Sequence, residues 1–480
     1  MESNEVLRAR YSELAWAISK QQALLNAMMA RLQELQTQLD SIVYPVLSLP
    51  PEITSEIFLH CTPEGYRDAV DTRFAPLLLM RVCRAWRQVA ISTPALWTTF
   101  HVTRAIRSMP EIAKVWFERA RQLPLSVSLD QSVLPPGRVI DEFLATFRRH
   151  CQSIHSLELH TSGDGFQRIN TYLLDFIHLL DFTRLRNLSL HLLLGEDEVF
   201  DFPAIEINMF HSAPLLNEVF LGGIPPSLIP LPWQQLTKFT GHFFTLPACL
   251  YVLRRTPNVT ECALAAYSSH DPEAFDICRH PAVETFTLSA AVNYYDCADS
   301  AQVLAFITLP ALHTLRIDNV DDFDEETFHS FLLRSIAPLK TLSIRSRRGI
   351  IRLLPTQAML RLTDLEISYP TNEFLATFFE SLAQFPSFLP QLQTLAFPTG
   401  YRDATVLGSI PKMVRVGATA ITARRNLQGC AQLQSFRVTS DFHDAPAFVP
   451  LLSKRDLQLF RNLKASGMDI HIGSEWESLV

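Results

Sequence analysis

Three hydrophobic rhythms follow one another along the 480-residue chain. Between Glu5 and Ile42, apolar residues return in alternating steps of four and three: Leu7, Tyr11, Leu14, Ile18, Leu25, Met28, Leu32, Leu35, Leu39 and Ile42, with Gln21 as the one polar member. That is a heptad held for about five repeats, the period of a left-handed coiled coil. Good helix formers fill the positions between, and no Pro or Gly interrupts before Pro45. The pattern predicts one long helix. Its stripe suits self-association, packing back on the same chain, or a different partner, and Gln21 can set the register of a pairing.

A denser apolar segment runs from Leu49 to Phe100. Pro51 pre-sets the first turn of a helix and Glu52 sits at its positive end, with Ile53, Ile57 and Phe58 supplying an apolar face. Thr62 to Phe74, with Pro63 and Gly65, reads as a loop. Leu77, Leu78, Leu79, Val82, Cys83, Trp86, Val89 and Ala90 then recur at helical spacing, predicting one helix from about Ala75 until Pro94 breaks it.

From about Arg104 a third rhythm takes over, apolar-x-x-apolar-x-apolar. It appears as Ile154/Leu157/Leu159, Leu185/Leu188/Leu190, Leu216/Val219/Leu221, Val283/Phe286/Leu288 and Leu312/Leu315/Ile317. It recurs as Leu339/Leu342/Ile344, Leu362/Leu365/Ile367, Leu392/Leu395/Phe397 and Leu433/Phe436/Val438. Weaker copies lie at Leu236–Phe239 and Val259–Cys262–Leu264, and the alternating stretch Leu123–Leu129 reads as the start of the stack. Copies are mostly about 20–31 residues apart, a leucine-rich-repeat rhythm with irregular spacing. The closing alternation predicts a strand, and stretches such as Phe143–Leu144–Phe147 and Phe374–Leu382 predict helices between strands. Pro214, Pro281, Pro310, Pro338 and Pro390 end those stretches just before the strands. One such unit buries too little alone; stacked units share a core. A conventional α/β domain with parallel strands does not call for so many copies of one short pattern. The fold class expected is an α/β repeat solenoid, irregular and leucine-rich-repeat-like, at 101–480. An all-α segment at 46–100 and a heptad helix at 1–45 precede it.

The middle segment resembles the F-box. Leu49-Pro50-Pro51-Glu52-Ile53, Ile57-Phe58, Val82-Cys83-Arg84-Ala85-Trp86-Arg87 and Pro94-Ala95-Leu96-Trp97 occur in the family's order within fifty residues. The stretch between Phe58 and Val82 is longer than a minimal F-box requires, and Glu64–Arg73 reads as a surface insertion. The heptad–F-box–repeat order is similar to that of many fungal F-box proteins. So are Val115-Trp116-Phe117-Glu118-Arg119-Ala120 and Leu123-Pro124-Leu125-Ser126. The resemblance implies a Skp-type adaptor as partner, and through it a cullin. It places Leu49, Pro50, Pro51, Ile53, Ile57, Val82, Cys83, Trp86 and Trp97 at or beside that interface. It also implies a non-catalytic substrate receptor of a ubiquitin ligase. A scaffold that holds the adaptor without a cullin is the alternative.

Composition narrows the remaining classes. A formal net charge of −7 argues against a nucleic-acid binder. Mean hydropathy is slightly positive at +0.10. No apolar run approaches the ~18 residues of a membrane span, and no basic-then-apolar leader opens the sequence. Eight cysteines without a C-x-x-C pair suit reduced thiols in cytoplasm or nucleus. No hydrolase, protease or nucleotide-loop motif is found, so neither enzyme chemistry, cofactor nor metal is expected. The histidines are dispersed along the sequence. Asp318, Asp321, Asp322, Asp324, Glu325 and Glu326 read as a solvated loop opening a helix. Arg345, Arg347, Arg348 and Arg352 follow a predicted strand, where guanidinium groups can grip an acidic or phosphorylated segment of an unknown protein substrate, or simply be solvated.

Overall fold

The computed structural model describes residues 4–41, 48–62, 68–102, 108–130, 138–163, 165–166, 169, 182–193, 206–267, 275–290, 302–318, 325–345, 351–368, 370–399, 410–440, 454–474, 478 and 480. The chain divides into two compact units, Met1–Tyr66 with Val70–Trp97, and Arg67–Ala69 with Thr98–Val480.

The first unit is helical. It contains α1 (Asn4–Asp40), α2 (Pro51–His60), α3 (Leu79–Val82), α4 (Arg84–Ser92) and a 3-10 turn at Pro94–Trp97. α1 is a single helix as the heptad requires, although Ile42 lies outside the described residues. Its apolar seam is exposed among the described residues, from 44 % at Leu35 to 77 % at Tyr11. The one helix expected from Ala75 to Pro94 is instead two. The backbone at Cys83 is extended (φ −156°, ψ 174°), and α4 starts anew behind it.

The second unit is built on a 14-stranded, wholly parallel sheet. Its strands are β1 (Thr99–Val102), β2 (Leu125–Asp130), β3 (Ile154–Thr161), β4 (Asn187–Leu192), β5 (Glu218–Gly222), β6 (Lys238–Phe244) and β7 (Glu261–Ala266). After β8 (Cys278–Arg279) come β9 (Thr285–Ala290), β10 (Ile307–Thr308), β11 (Thr314–Asp318), β12 (Thr341–Arg345), β13 (Asp364–Ser368), β14 (Thr394–Thr399), β15 (Ser435–Ser440) and β16 (Asp469–Ser474). β8 and β10 pair separately; the other fourteen lie side by side in chain order. Between them run α5 (Met109–Ala120), α6 (Arg138–His150), α7 (Leu246–Arg255), α8 (Gln302–Ala305), α9 (Glu325–Ser335), α10 (Asn372–Gln384), α11 (Ile410–Arg425) and α12 (Lys454–Ala465). α9 opens on Glu325 and Glu326, where the acidic run predicts a helix start; Asp321, Asp322 and Asp324 lie outside the described residues.

Register explains why the apolar-x-x-apolar-x-apolar motif recurs. Leu157 pairs with Leu188, Leu188 with Val219, Val219 with Phe239 and Phe239 with Cys262. The same row runs on through Phe286, Leu315, Leu342, Leu365, Leu395 and Phe436 to Ile470. In the other direction it reaches Val127 and Phe100. Every member is at most 2 % exposed. A strand's alternation sends the motif residues to one face and their neighbours to the other, so one side of the sheet is core and the other is open.

The sheet begins at β1, one strand before the Leu123–Leu129 stretch read as its start, and continues to β16, beyond the copy at Leu433–Val438.

Helices cover the core face with aromatic side chains. Phe378 and Phe379 of α10 meet Phe397 of β14, which meets Phe436 of β15 and, through it, Phe460 of α12. Buried carbonyls that the turns leave over are met by arginines. Arg424 is buried and donates to the Phe388 carbonyl at 3.1 Å and the Leu389 carbonyl at 2.6 Å. Arg334 does the same for Leu304 and Ala305. Each guanidinium thus spends terminal N–H donors on carbonyls that would otherwise lack a partner. No helix among the described residues is long and apolar enough to cross a membrane.

Candidate protein-interaction surface

The helical unit sorts its apolar residues onto two sides. α2 starts with Pro51 at its first position, which needs no hydrogen-bond donor there. Thr54 and Phe58 then turn inward, and Phe58 meets the Trp86 ring at 5.0 Å. Four-residue spacing puts Ile53 and Ile57 on a common side of α2, and Leu49, just before the helix, is exposed as they are. Leu78 and Val82, also four apart, are exposed beside the α3–α4 break. These five side chains are 37–55 % exposed. Large aliphatic residues gathered this way on a small unit are the mark of an interaction surface rather than of scattered exposure.

The break at Cys83 shapes the second stripe. Its thiol accepts a hydrogen bond from the Trp86 N–H at 3.5 Å and so caps α4. Across the break, Arg87 Nε donates to the Met80 carbonyl at 2.9 Å. Cys83 and Trp86 are half-buried, with their polar atoms or rings turned to the helix and to Phe58. Trp97, which the resemblance puts at or beside the interface, lies in the core of this unit. It is 1 % exposed, and its indole N–H donates to the Ala90 carbonyl at 2.9 Å, which uses its one polar handle internally. Pro50 and Pro51 are exposed at the head of α2.

A family model described as F-box-like matches residues 46–103. The match takes in all of α2, α3 and α4, and with them both exposed stripes. No curated protein matches the chain. A chain in the crystal structure of the yeast Rad7 and Elc1 complex aligns with 94 % of this chain and 97 % of its own length. Identity is 13 % and the TM-score 0.28, too low a likeness to inform either fold or function.

The stretch expected to be a surface insertion is partly internal. Residues 63–67 lie outside the described residues, but Ala69 is buried and its N–H donates to the His101 carbonyl of β1 at 2.7 Å. Beyond it, Arg73 holds Asp71 through two guanidinium nitrogens, at 3.0 and 2.7 Å. Of the four arginines, Arg345 ends β12 exposed and Arg352 is exposed in the following turn. Arg347 and Arg348 lie outside the described residues.

The open face of the sheet carries a feature that sequence reading passed over. Glu158 and His160 of β3 and His191 of β4 lie together, half-buried. His160 and His191 are register partners and stack with ring centres 4.0 Å apart. Phe220 stacks on His191 at 4.3 Å, and His242 meets the edge of Phe220 at 4.8 Å. Burial pushes Glu158 toward protonation, yet the hydrogen bond with His160 and the charge of the neighbouring imidazoles outweigh it and bring the carboxyl to about 2. Burial, with His160 beside it, lowers His191 to about 4. The histidines look dispersed in sequence because the pairing that collects them joins residues about thirty positions apart.

Proposed function

We propose that the chain is a substrate-recognition subunit of a Skp–cullin–F-box ubiquitin ligase, without catalysis of its own. The observation that carries this reading is the uncovered stripe Leu49–Ile53–Ile57, with Val82, inside the segment the F-box-like family model matches. A Skp-type adaptor laid over that surface removes its apolar area from water, and Pro50, Pro51, Cys83 and Trp86 flank the same contact. The 101–480 region is then an irregular leucine-rich-repeat-like solenoid that holds a protein substrate. Strand order that follows chain order, with motif residues in one continuous row, supports this. Arg345 and Arg352, with Arg347 and Arg348, are offered as contacts to an acidic or phosphorylated segment of that substrate. A cytoplasmic or nuclear location goes with this role.

The receptor works as a homodimer through α1. Its apolar seam is exposed among the described residues, and the flanking positions tolerate a parallel pair. In parallel register Arg10 faces Ala15, Ala17 faces Gln22, Leu24 faces Met29 and Arg31 faces Gln36, so no like charges meet. A scaffold that binds the adaptor without a cullin is the second reading, favoured by the length of this uncovered helix. Affinity capture of the full chain separates the two: adaptor with cullin supports the receptor, adaptor alone the scaffold, and neither removes both.

A further inference from the structure

The cluster on β3 and β4 is independent of the reading above. Glu158 and His160 are two residues apart on one strand, so both leave the open face, opposite Leu157 and Leu159. The ladder places His191 beside His160. Two adjacent, regularly paired strands therefore fix three ligand-type side chains, a more rigid support than a loop.

We propose that Glu158, His160 and His191 form a binding site for a divalent transition-metal cation of the zinc class. His160 Nε2 is 2.9 Å and His191 Nε2 3.7 Å from Glu158 Oε1, and the ligand atoms of all three lie within 4.8 Å of one another. A tetrahedral site with bonds of about 2 Å separates its ligand atoms by about 3.3 Å. The two carboxylate–imidazole distances straddle that value. The stacked rings, 6° from parallel, must fan apart for both nitrogens to face one ion, a rotation about the soft terminal torsion of histidine. The Ser189 hydroxyl, 2.8 Å from His191 Nε2, gives up that nitrogen to the ion. Two imidazoles and one carboxylate suit zinc and its neighbours; calcium and magnesium call for more oxygen ligands than this. Three protein ligands leave a coordination position open toward the solvent side of the sheet, for water or for a side chain of a bound protein.

The test uses the full chain, stripped with a chelator and titrated with cobalt(II) and then zinc(II). A visible cobalt band that zinc abolishes, with affinity falling about ten-fold or more in both Glu158→Gln and His191→Phe, is the expected result. His191→Phe keeps a ring between His160 and Phe220, and circular dichroism checks its fold; if it does not fold, Glu158→Gln decides by the same criterion. The proposal is overturned if wild type develops no band, if the variants bind as wild type does, or if a near-ultraviolet thiolate band places the ion on cysteine.

Discussion

Replacing Ile53 and Ile57 together by alanine separates the surface of the helical unit from its core. Fully burying an isoleucine side chain gains about 1.5–3 kcal/mol. Ile53 is 50 % and Ile57 44 % exposed in the chain alone. A partner that covers the remainder therefore gains about 0.7–1.5 kcal/mol from each. The double variant should lose somewhat less than their sum, since alanine keeps its Cβ. At about 1.4 kcal/mol per factor of ten, that is a roughly 10- to 100-fold weaker Kd. By the same arithmetic the half already covered within the chain costs the free chain about 1–3 kcal/mol in all, so the variant should melt lower yet stay folded. Phe58→Ala is the contrasting variant. Its ring is buried against Trp86, so it should cost about 3–5 kcal/mol of the unit's stability. Isothermal titration against a purified Skp-type adaptor, beside thermal melts of each free variant, reads both quantities. A double variant that binds within about two-fold of wild type while remaining folded would show that α2 does not carry the contact.

Other outcomes follow from the same structure. Leu25→Asp with Leu32→Asp places charge on the exposed seam of α1 and should convert a sedimenting dimer to monomer without altering the melt of the sheet unit. Gly417→Ala sets helix propensity against packing. Alanine gains about 1 kcal/mol inside α11, but its Cβ would lie 3.2 Å from Phe379 and 3.3 Å from Phe436. Overpacking of about 1–3 kcal/mol should win, giving a lower melting temperature. His280 is buried, its Nε2 2.6 Å from the Thr256 carbonyl, and burial lowers its pKa. The unfolded chain therefore takes up this proton first as pH falls below about 6.5, so the neutral ring stabilises the fold above that pH and progressively less below it. Denaturant melts at pH 7.5 and 5.5 should show His280→Gln losing less stability than wild type between the two.

The sheet was largely legible because its signal is local. Leu-x-Leu alternation and the preceding apolar residue occupy six positions, and each copy lands in the row from Phe100 to Ile470. What escaped has physical causes. β1 is four residues long and follows the Pro94–Trp97 turn after a single residue, so nothing marks it as a strand. β16 has Gly467 where the other copies open on an apolar residue. The α3–α4 break is silent because helical spacing continues through Cys83; the thiol cap and extended backbone that stop the helix involve neither Gly nor Pro. The F-box pattern leaves open whether Trp97 is contact or core, because the carbonyl that takes its indole N–H, at Ala90, is not marked in the sequence. The Glu158–His160–His191 cluster depends on strand register, which a sequence read in one dimension does not contain.

The account turns on whether the F-box-like segment holds an adaptor. Full-length chain and a Leu49→Ala/Pro50→Ala variant, captured in parallel from cells and quantified for Skp-type adaptor and cullin, test this most directly. Wild type should retain both proteins and the variant neither, with the sheet unit of each giving the same protease-resistant core. Equal adaptor on both baits, or none on wild type, contradicts the assignment.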